Sequence, residues 1–168
     1  LSATQGRGVT SHGQLALSAN GRFLGLKAEV EAPIGAWLPN SGLITAWNAA
    51  RILPSAYDIP ALEISTRATR TNLAPTGIYR GAGRPEANFL MERLVDKAAR
   101  VTGLDPVEIR RKNMLASGNL PHETATGNVL DSGDYARALD ILGDKANYAA
   151  QLADRDQRRE NGELVGVG

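Results

Sequence analysis

The sequence predicts an α+β domain: a two-layer unit in which a small mixed, mostly antiparallel sheet is covered by helices. Three observations predict it. Apolar residues alternate with polar ones over residues 13–31 and again over 61–70, the period of a half-buried strand. Asn20-Gly21 separates the first two runs and is the strongest short-range hairpin signal. From residue 85 to 161 the apolar spacing changes to that of helices.

Each element follows in chain order. Leu15, Leu17 and Ala19 alternate with Gln14, Ala16 and Ser18, and a two-residue turn at Asn20-Gly21 returns the chain. The return strand places Leu24, Leu26, Ala28 and Val30 on one face. Residues 33–39 are irregular, and 42–53 carry a loosely grouped helical set, Leu43, Trp47, Ala50 and Ile52. Leu62, Ile64 and Thr66 alternate with Glu63, Ser65 and Arg67, which predicts a third strand. These elements make up residues 1–70; residues 71–84 form a long loop. Ala87, Leu90, Met91, Leu94, Val95, Ala98 and Val101 then repeat at helical spacing up to Gly103, which terminates the helix. Asp105-Pro106-Val107-Glu108 opens the next one, with Asp at the N-cap, Pro at the first position and Glu in the first turn. That helix ends in Arg110, Arg111 and Lys112, which suit the negative end of its dipole. Asp131 or Ser132 caps a further helix with Tyr135, Ala138, Leu139 and Leu142 as its apolar stripe, and residues 154–161 are a charged, solvated stretch. Residues 162–168 read as the start of another strand.

Composition narrows the chemistry. The chain has 168 residues, 42% of them hydrophobic, enough for one packed domain or domain fragment. The net charge of +1 gives no field that recruits nucleic acid or an anionic membrane. No run is long or apolar enough to insert in a membrane, so a cytoplasmic location is expected. Cysteine is absent, which excludes disulfides, thiolate metal sites and a cysteine nucleophile. His12 and His122 have no companion ligand and read as ordinary polar residues; Trp37 and Trp47 read as core or interface residues. The chain starts without methionine in mid-polar sequence and reads as an internal piece of a larger polypeptide.

Tyr79-Arg80-Gly81-Ala82-Gly83-Arg84-Pro85-Glu86 is the most informative stretch. Glycines allow backbone to approach a ligand, and Pro85 starts a helix whose free N–H groups favour an anion. The same loop also serves as a plain chain reversal, and spacing alone does not separate the two readings. Glu86 complements the helix dipole rather than acting as a base, and Arg84 braces the loop or a cofactor rim.

The segment from Thr71 through Glu86 closely resembles the large subunit of aerobic carbon monoxide dehydrogenase-like molybdenum hydroxylases, of the xanthine oxidase and aldehyde oxidase family. The resemblance continues through Tyr57-Asp58-Ile59-Pro60, Glu92-Arg93-Leu94-Val95-Asp96, Gly103-Leu104-Asp105-Pro106, Arg110-Arg111-Lys112-Asn113 and Asp131-Ser132-Gly133-Asp134, in consistent order. It implies a part of a molybdenum-cofactor-binding domain, an oxidoreductase that hydroxylates its substrate, and molybdopterin cytosine dinucleotide as cofactor. It implies the remainder of the large subunit, plus iron–sulfur and flavin subunits or domains, as partners, with a homo-oligomer possible. It implies that Tyr79, Arg80, Gly81, Ala82 and Gly83 bind the cofactor beside the molybdenum, with no direct metal ligand and no catalytic residue in this chain. The glutamate base of the family is expected beyond Gly168, so the fragment alone is expected to be inactive.

Departures from the family pattern sharpen the expectation. Copper-containing members carry cysteine where this chain has Gly81, so the resemblance points to the second, copper-free form. Purine-oxidising members carry phenylalanine at the position of Ala82 and an arginine at that of Asn48, with Arg51 here three residues on, which argues against a purine. The alternative to an enzyme fragment is a non-catalytic, independently folding interaction domain.

Overall fold

The computed structural model describes residues 4–167. Its sheet has the order β1 (Thr10–Leu17), β2 (Phe23–Gly35), β3 (Leu62–Arg70). β1 and β2 pair antiparallel, whereas β3 runs parallel to β2, so the sheet is mixed. A parallel neighbour needs a crossover, and α1 (Ile44–Ile52) supplies it.

The hairpin turn is longer than the Asn-Gly pair alone predicts. Ser18 pairs with Arg22 through its N–H (2.9 Å), and the Gly21 N–H closes a turn onto the Ser18 carbonyl (2.9 Å). Gly21 sits at φ +80, giving a three-residue loop that ends in the left-handed region. Ala16 pairs with Gly25 and Leu17 with Phe23, which leaves Leu24 as an extra residue on β2. That bulge turns Leu24 outward (49% exposed) and Phe23 inward, correcting the predicted face at this one position. From Leu26 the alternation holds: Leu26, Ala28, Val30 and Ala32 are buried, and Lys27, Glu29 and Glu31 face away. On the polar face Lys27 meets Glu63 of β3 at 2.7 Å and the Thr69 hydroxyl donates to Glu31 at 2.9 Å.

α2 (Arg84–Thr102) covers the buried face with Ala87, Met91, Val95, Ala98 and Ala99. Gly13 lets it lie close on β1, because a Cβ there would stand 2.7 Å from Leu94. Val101, placed on the apolar stripe by its spacing, is 75% exposed because it lies beyond the sheet contact, near the helix end. α1 adds Thr45, Ala46 and Ala49 to the buried layer. Trp37 and Trp47 stand 49% and 62% exposed, which removes the core half of their predicted role.

α3 (Pro106–Asn113) is capped as its sequence predicts, the Asp105 carboxylate accepting from the Val107 N–H (2.7 Å) and the Glu108 N–H (3.2 Å). Its far end is tied down by Asn113, which is fully buried. The Asn113 Oδ1 accepts from the Phe23 N–H (2.8 Å), and its Nδ2 donates to the carbonyls of Gly21 (2.9 Å) and Ile109 (2.8 Å). Arg110 reaches α2 at Glu92 (2.7 Å) and Asp96 (2.9 Å), and the Tyr57 hydroxyl donates to Glu92 at 2.8 Å. Burial, then the Glu92 carboxylate, pushes the Tyr57 hydroxyl well above the ordinary phenol range. The short motifs spread along the sequence are therefore the cross-ties between elements.

The remainder is more loosely attached. A short hairpin, β4 (His122–Glu123) with β5 (Val129–Leu130), lies within the helical part, between α3 and the helix predicted to be capped by Asp131 or Ser132. Two-residue strands carry no readable alternation, so periodicity does not reveal them. α4 (Tyr135–Lys145) is capped by Asp134, whose carboxylate accepts from the Arg137 N–H at 3.1 Å, rather than by Asp131 or Ser132. Neither α4 nor α5 (Tyr148–Glu160) has a buried residue, and Leu142 on the predicted stripe is 64% exposed. Residues 163–167 form no strand; among the described residues the sheet offers them no partner.

Candidate functional site

The loop between β3 and α2 is held before it reaches its tip. The Thr76 hydroxyl donates to the Pro33 carbonyl at 2.7 Å, and the Ala36 N–H to the Leu73 carbonyl at 3.1 Å. The N-terminal segment lies parallel beside it, with the Gln5 N–H on the Pro75 carbonyl and the Gly77 N–H on the Gln5 carbonyl, both 2.9 Å.

Two fused turns follow. The Ala82 N–H closes onto the Tyr79 carbonyl (2.7 Å) with Gly81 at φ +99, the type II pattern. The Arg84 N–H closes onto the Gly81 carbonyl (3.0 Å) with Ala82 at φ +40 and Gly83 at φ +92, the type I′ pattern. Ala82 bears a side chain in the left-handed region, at a cost of about 1–2 kcal/mol. Such strain persists only where the surroundings impose it.

Gly83 is the N-cap of α2 and is buried against α1. A Cβ on it would stand 2.3 Å from the Thr45 carbonyl oxygen, 2.6 Å from the Ala49 nitrogen and 3.0 Å from the Asn48 Cβ. This contact brings Asn48 to the loop. Arg51 instead turns away, to Asn128 at 3.4 Å. The buried Thr45 hydroxyl has no partner among the described residues.

Arg7 was not singled out by sequence reasoning. Its Nη2 donates to the Arg80 carbonyl (2.8 Å), its Nη1 meets the Glu86 Oε1 (3.3 Å), and its guanidinium lies 4.7 Å from the centre of the Tyr79 ring. No local pattern marks it, since it lies 73 residues from its carbonyl partner. Glu86 is mostly buried, and its Oε2 has no partner among the described residues.

The loop's donors point to an oxyanion. Among the described residues the Gly81 N–H has no acceptor, and the side chains of Arg80 and Arg84 form no hydrogen bond or ion pair. The α2 N-terminus has no side-chain cap, so its positive dipole end also faces this region. Tyr79 is 62% exposed on the same loop. A cleft of about 620 Å³ opens on the other flank of α2, lined in part by Arg84, Asn88, Asn128 and Tyr135. Tyr79, Arg80, Gly81, Ala82 and Gly83 are thus contiguous on one structured loop, with Gly83 turned into the protein. His12 is exposed on β1 and His122 is half-buried on β4, in separate sheets; no group of three His, Asp or Glu side chains converges among the described residues.

An α+β unit that offers strained glycine-rich backbone and free cations at an uncapped helix start has the build of a domain that binds an anionic cofactor. The pattern of the molybdopterin cofactor-binding domain matches residues 1–114, and the chain belongs to that family. The carbon monoxide dehydrogenase large chain of Hydrogenophaga pseudoflava is 37% identical over 163 residues, 93% of this chain and 20% of that one. The 6-hydroxypseudooxynicotine dehydrogenase complex subunit gamma of Paenarthrobacter nicotinovorans is 34% identical over 92% of this chain and 20% of its own length. The crystal structure of quinoline 2-oxidoreductase from Pseudomonas putida 86 superposes with a TM-score of 0.89 at 30% identity, over 96% of this chain and 21% of that one. The chain therefore spans about a fifth of the length of these three relatives.

Proposed function

We propose that this chain is the part of a molybdenum hydroxylase large subunit that presents Tyr79–Gly83 to the molybdenum end of a pterin cofactor. One observation carries the reading: among the described residues, the fused turns leave the Gly81 N–H and the Arg80 guanidinium without protein partners at the uncapped start of α2. Those donors suit a cofactor rich in anionic oxygens, and in a dry site they stabilise developing negative charge. The partnerless Thr45 hydroxyl beneath the loop adds a polar group of matching chemistry. When bound, the cofactor supplies two-electron redox chemistry; the chain's own residues position it and neutralise charge.

The finer assignments follow the resemblance. The cofactor is molybdopterin cytosine dinucleotide, and the form is copper-free, because Gly81 stands at the copper-ligand position and the chain has no cysteine. Iron–sulfur and flavin partners receive the electrons, the base glutamate lies outside this chain, and the assembly is cytoplasmic. The exposed Trp37, Leu38 and Trp47 suit contacts with the rest of the subunit, which is also what a purely non-catalytic interaction domain would show.

The test is made in the intact complex, with molybdenum and pterin content measured beside turnover. Arg80→Ala is expected to lower kcat by roughly one to three orders of magnitude, the usual cost of removing an electrostatic stabiliser. Arg80→Lys is expected to restore only part, because an ammonium lacks the planar fork. Full turnover by both Arg80→Ala and Gly81→Val at normal molybdenum occupancy would remove the loop from the active site and favour the interaction domain.

A further inference from the structure

We infer that Arg7 is a positioning residue: it selects the orientation of the Arg80–Gly81 peptide and so aims the Gly81 N–H at the cofactor, an inference that rests on the loop reading above. Arg80–Gly81 is the central peptide of the type II turn closed by Tyr79 and Ala82. Type I and type II turns differ mainly by a half-rotation of that peptide, with little movement of the flanking chain. Glycine at position 81 permits both, because it tolerates either sign of φ. The loop sequence therefore leaves the choice open, and something outside it must decide.

Arg7 decides it. Its Nη2 holds the Arg80 carbonyl at 2.8 Å. In a planar trans peptide the C=O and the next N–H point in opposite directions, so the Gly81 N–H is directed away from Arg7. In the flipped peptide that N–H would face the guanidinium, donor against donor, and the bond from a charged donor would be lost.

Arg7 is itself braced on three sides. Glu86 meets its other nitrogen at 3.3 Å, the Tyr79 ring lies 4.7 Å below it, and its Nη2 is the atom held by the Arg80 carbonyl; its backbone adopts φ +60, unusual for a side-chain-bearing residue. Gly6 permits this approach, since a Cβ there would lie 2.7 Å from the Tyr79 Cβ. Among the described residues Glu86 gives Oε1 to Arg7 alone and buries Oε2 without a partner. The carboxylate is thus committed to fixing the arginine, which explains an acid so close to a loop that collects anions.

The experiment compares Arg7→Ala, Arg7→Lys, Glu86→Gln and Arg80→Ala in the intact complex. It measures molybdenum content, kcat and KM, the Mo(V) electron paramagnetic resonance g-values, and hydrogen exchange of residues 78–84 with and without cofactor. Arg7→Ala is expected to speed exchange in the cofactor-free protein and to shift the g-values. It should lower kcat about ten- to a hundredfold, the scale of a small misplacement, with KM unmoved. Arg7→Lys should recover part, and Glu86→Gln should show a smaller loss of the same kind. Unchanged exchange and g-values in Arg7→Ala would overturn the inference. So would faster exchange with full kcat while Arg80→Ala is crippled, because the clamp would then not aim the peptide. Full kcat in both variants would instead overturn the loop reading, and the inference with it.

Discussion

At the scale of single residues, Gly81 and Gly83 look alike in the sequence but are glycine for different reasons. Gly81 supplies the positive φ of a turn, and a notional Cβ on it would meet the Pro85 ring at 2.9 Å and the Arg7 Nη2 at 4.0 Å. Gly83 is where α2 lies directly on the backbone of α1. Gly83→Ala drives a methyl into the Thr45 carbonyl and is expected to destabilise by about 2–4 kcal/mol, adding overpacking to backbone strain. Gly81→Ala should cost about 1–2 kcal/mol, the penalty of a left-handed alanine. Chemical denaturation of the two variants checks the order; equal losses would show that α1 yields to the added methyl. The sequence made both glycines visible as a loop signal. It did not separate them, nor show Arg7, because each depends on a neighbour far away along the chain.

At the scale of elements, what is local was legible and what is cross-strand was not. The α3 cap is written in consecutive residues and folds as read. The parallel pairing of β3, the bulge at Leu24 and the β4–β5 hairpin depend on partners, which a single strand's alternation does not name. The same holds for the buried Asn113, which reads as one more polar residue after a basic run. Asn113→Ala leaves the Phe23 N–H and the Gly21 carbonyl buried without partners and is expected to cost about 2–4 kcal/mol. Asn113→Asp should be worse near neutral pH, since its carboxylate would face the Gly21 and Ile109 carbonyls. Urea midpoints with the reverse order would refute this account of the tie. Tyr57 gives a pH test. Its hydroxyl titrates higher in the folded state than in the unfolded one, where it titrates near pH 10. Its contribution is therefore complete below about pH 10 and is lost as pH rises from there toward the folded value. Stability measured from pH 9 upward should fall, and Tyr57→Phe should flatten that fall while costing a hydrogen bond at neutral pH.

At the scale of the whole molecule, the chain has one good core and several unfinished faces. Buried side chains gather between the sheet and the two helices α1 and α2, with α3 tied behind. Outside that core Trp37, Leu38, Leu43, Trp47 and Phe89 stand between 47% and 70% exposed. β1 and β3 are both sheet edges, and β3 is exposed on both faces over much of its length. Apolar surface and unpaired edges of this kind favour association. The catalytic apparatus of a hydroxylase acts as a unit, and removing part of such a unit costs about as much as removing all of it. The 168-residue chain purified alone is therefore expected to fold around its core, to self-associate with rising concentration, and to hold no stoichiometric molybdenum or pterin and show no turnover. Sedimentation velocity across a concentration series, metal analysis and a dye-linked hydroxylase assay check the three parts separately. Stoichiometric cofactor in the isolated chain would show that the Tyr79–Gly83 loop and its surroundings bind it without the further length that the relatives carry. That would move most of the binding energy into this domain.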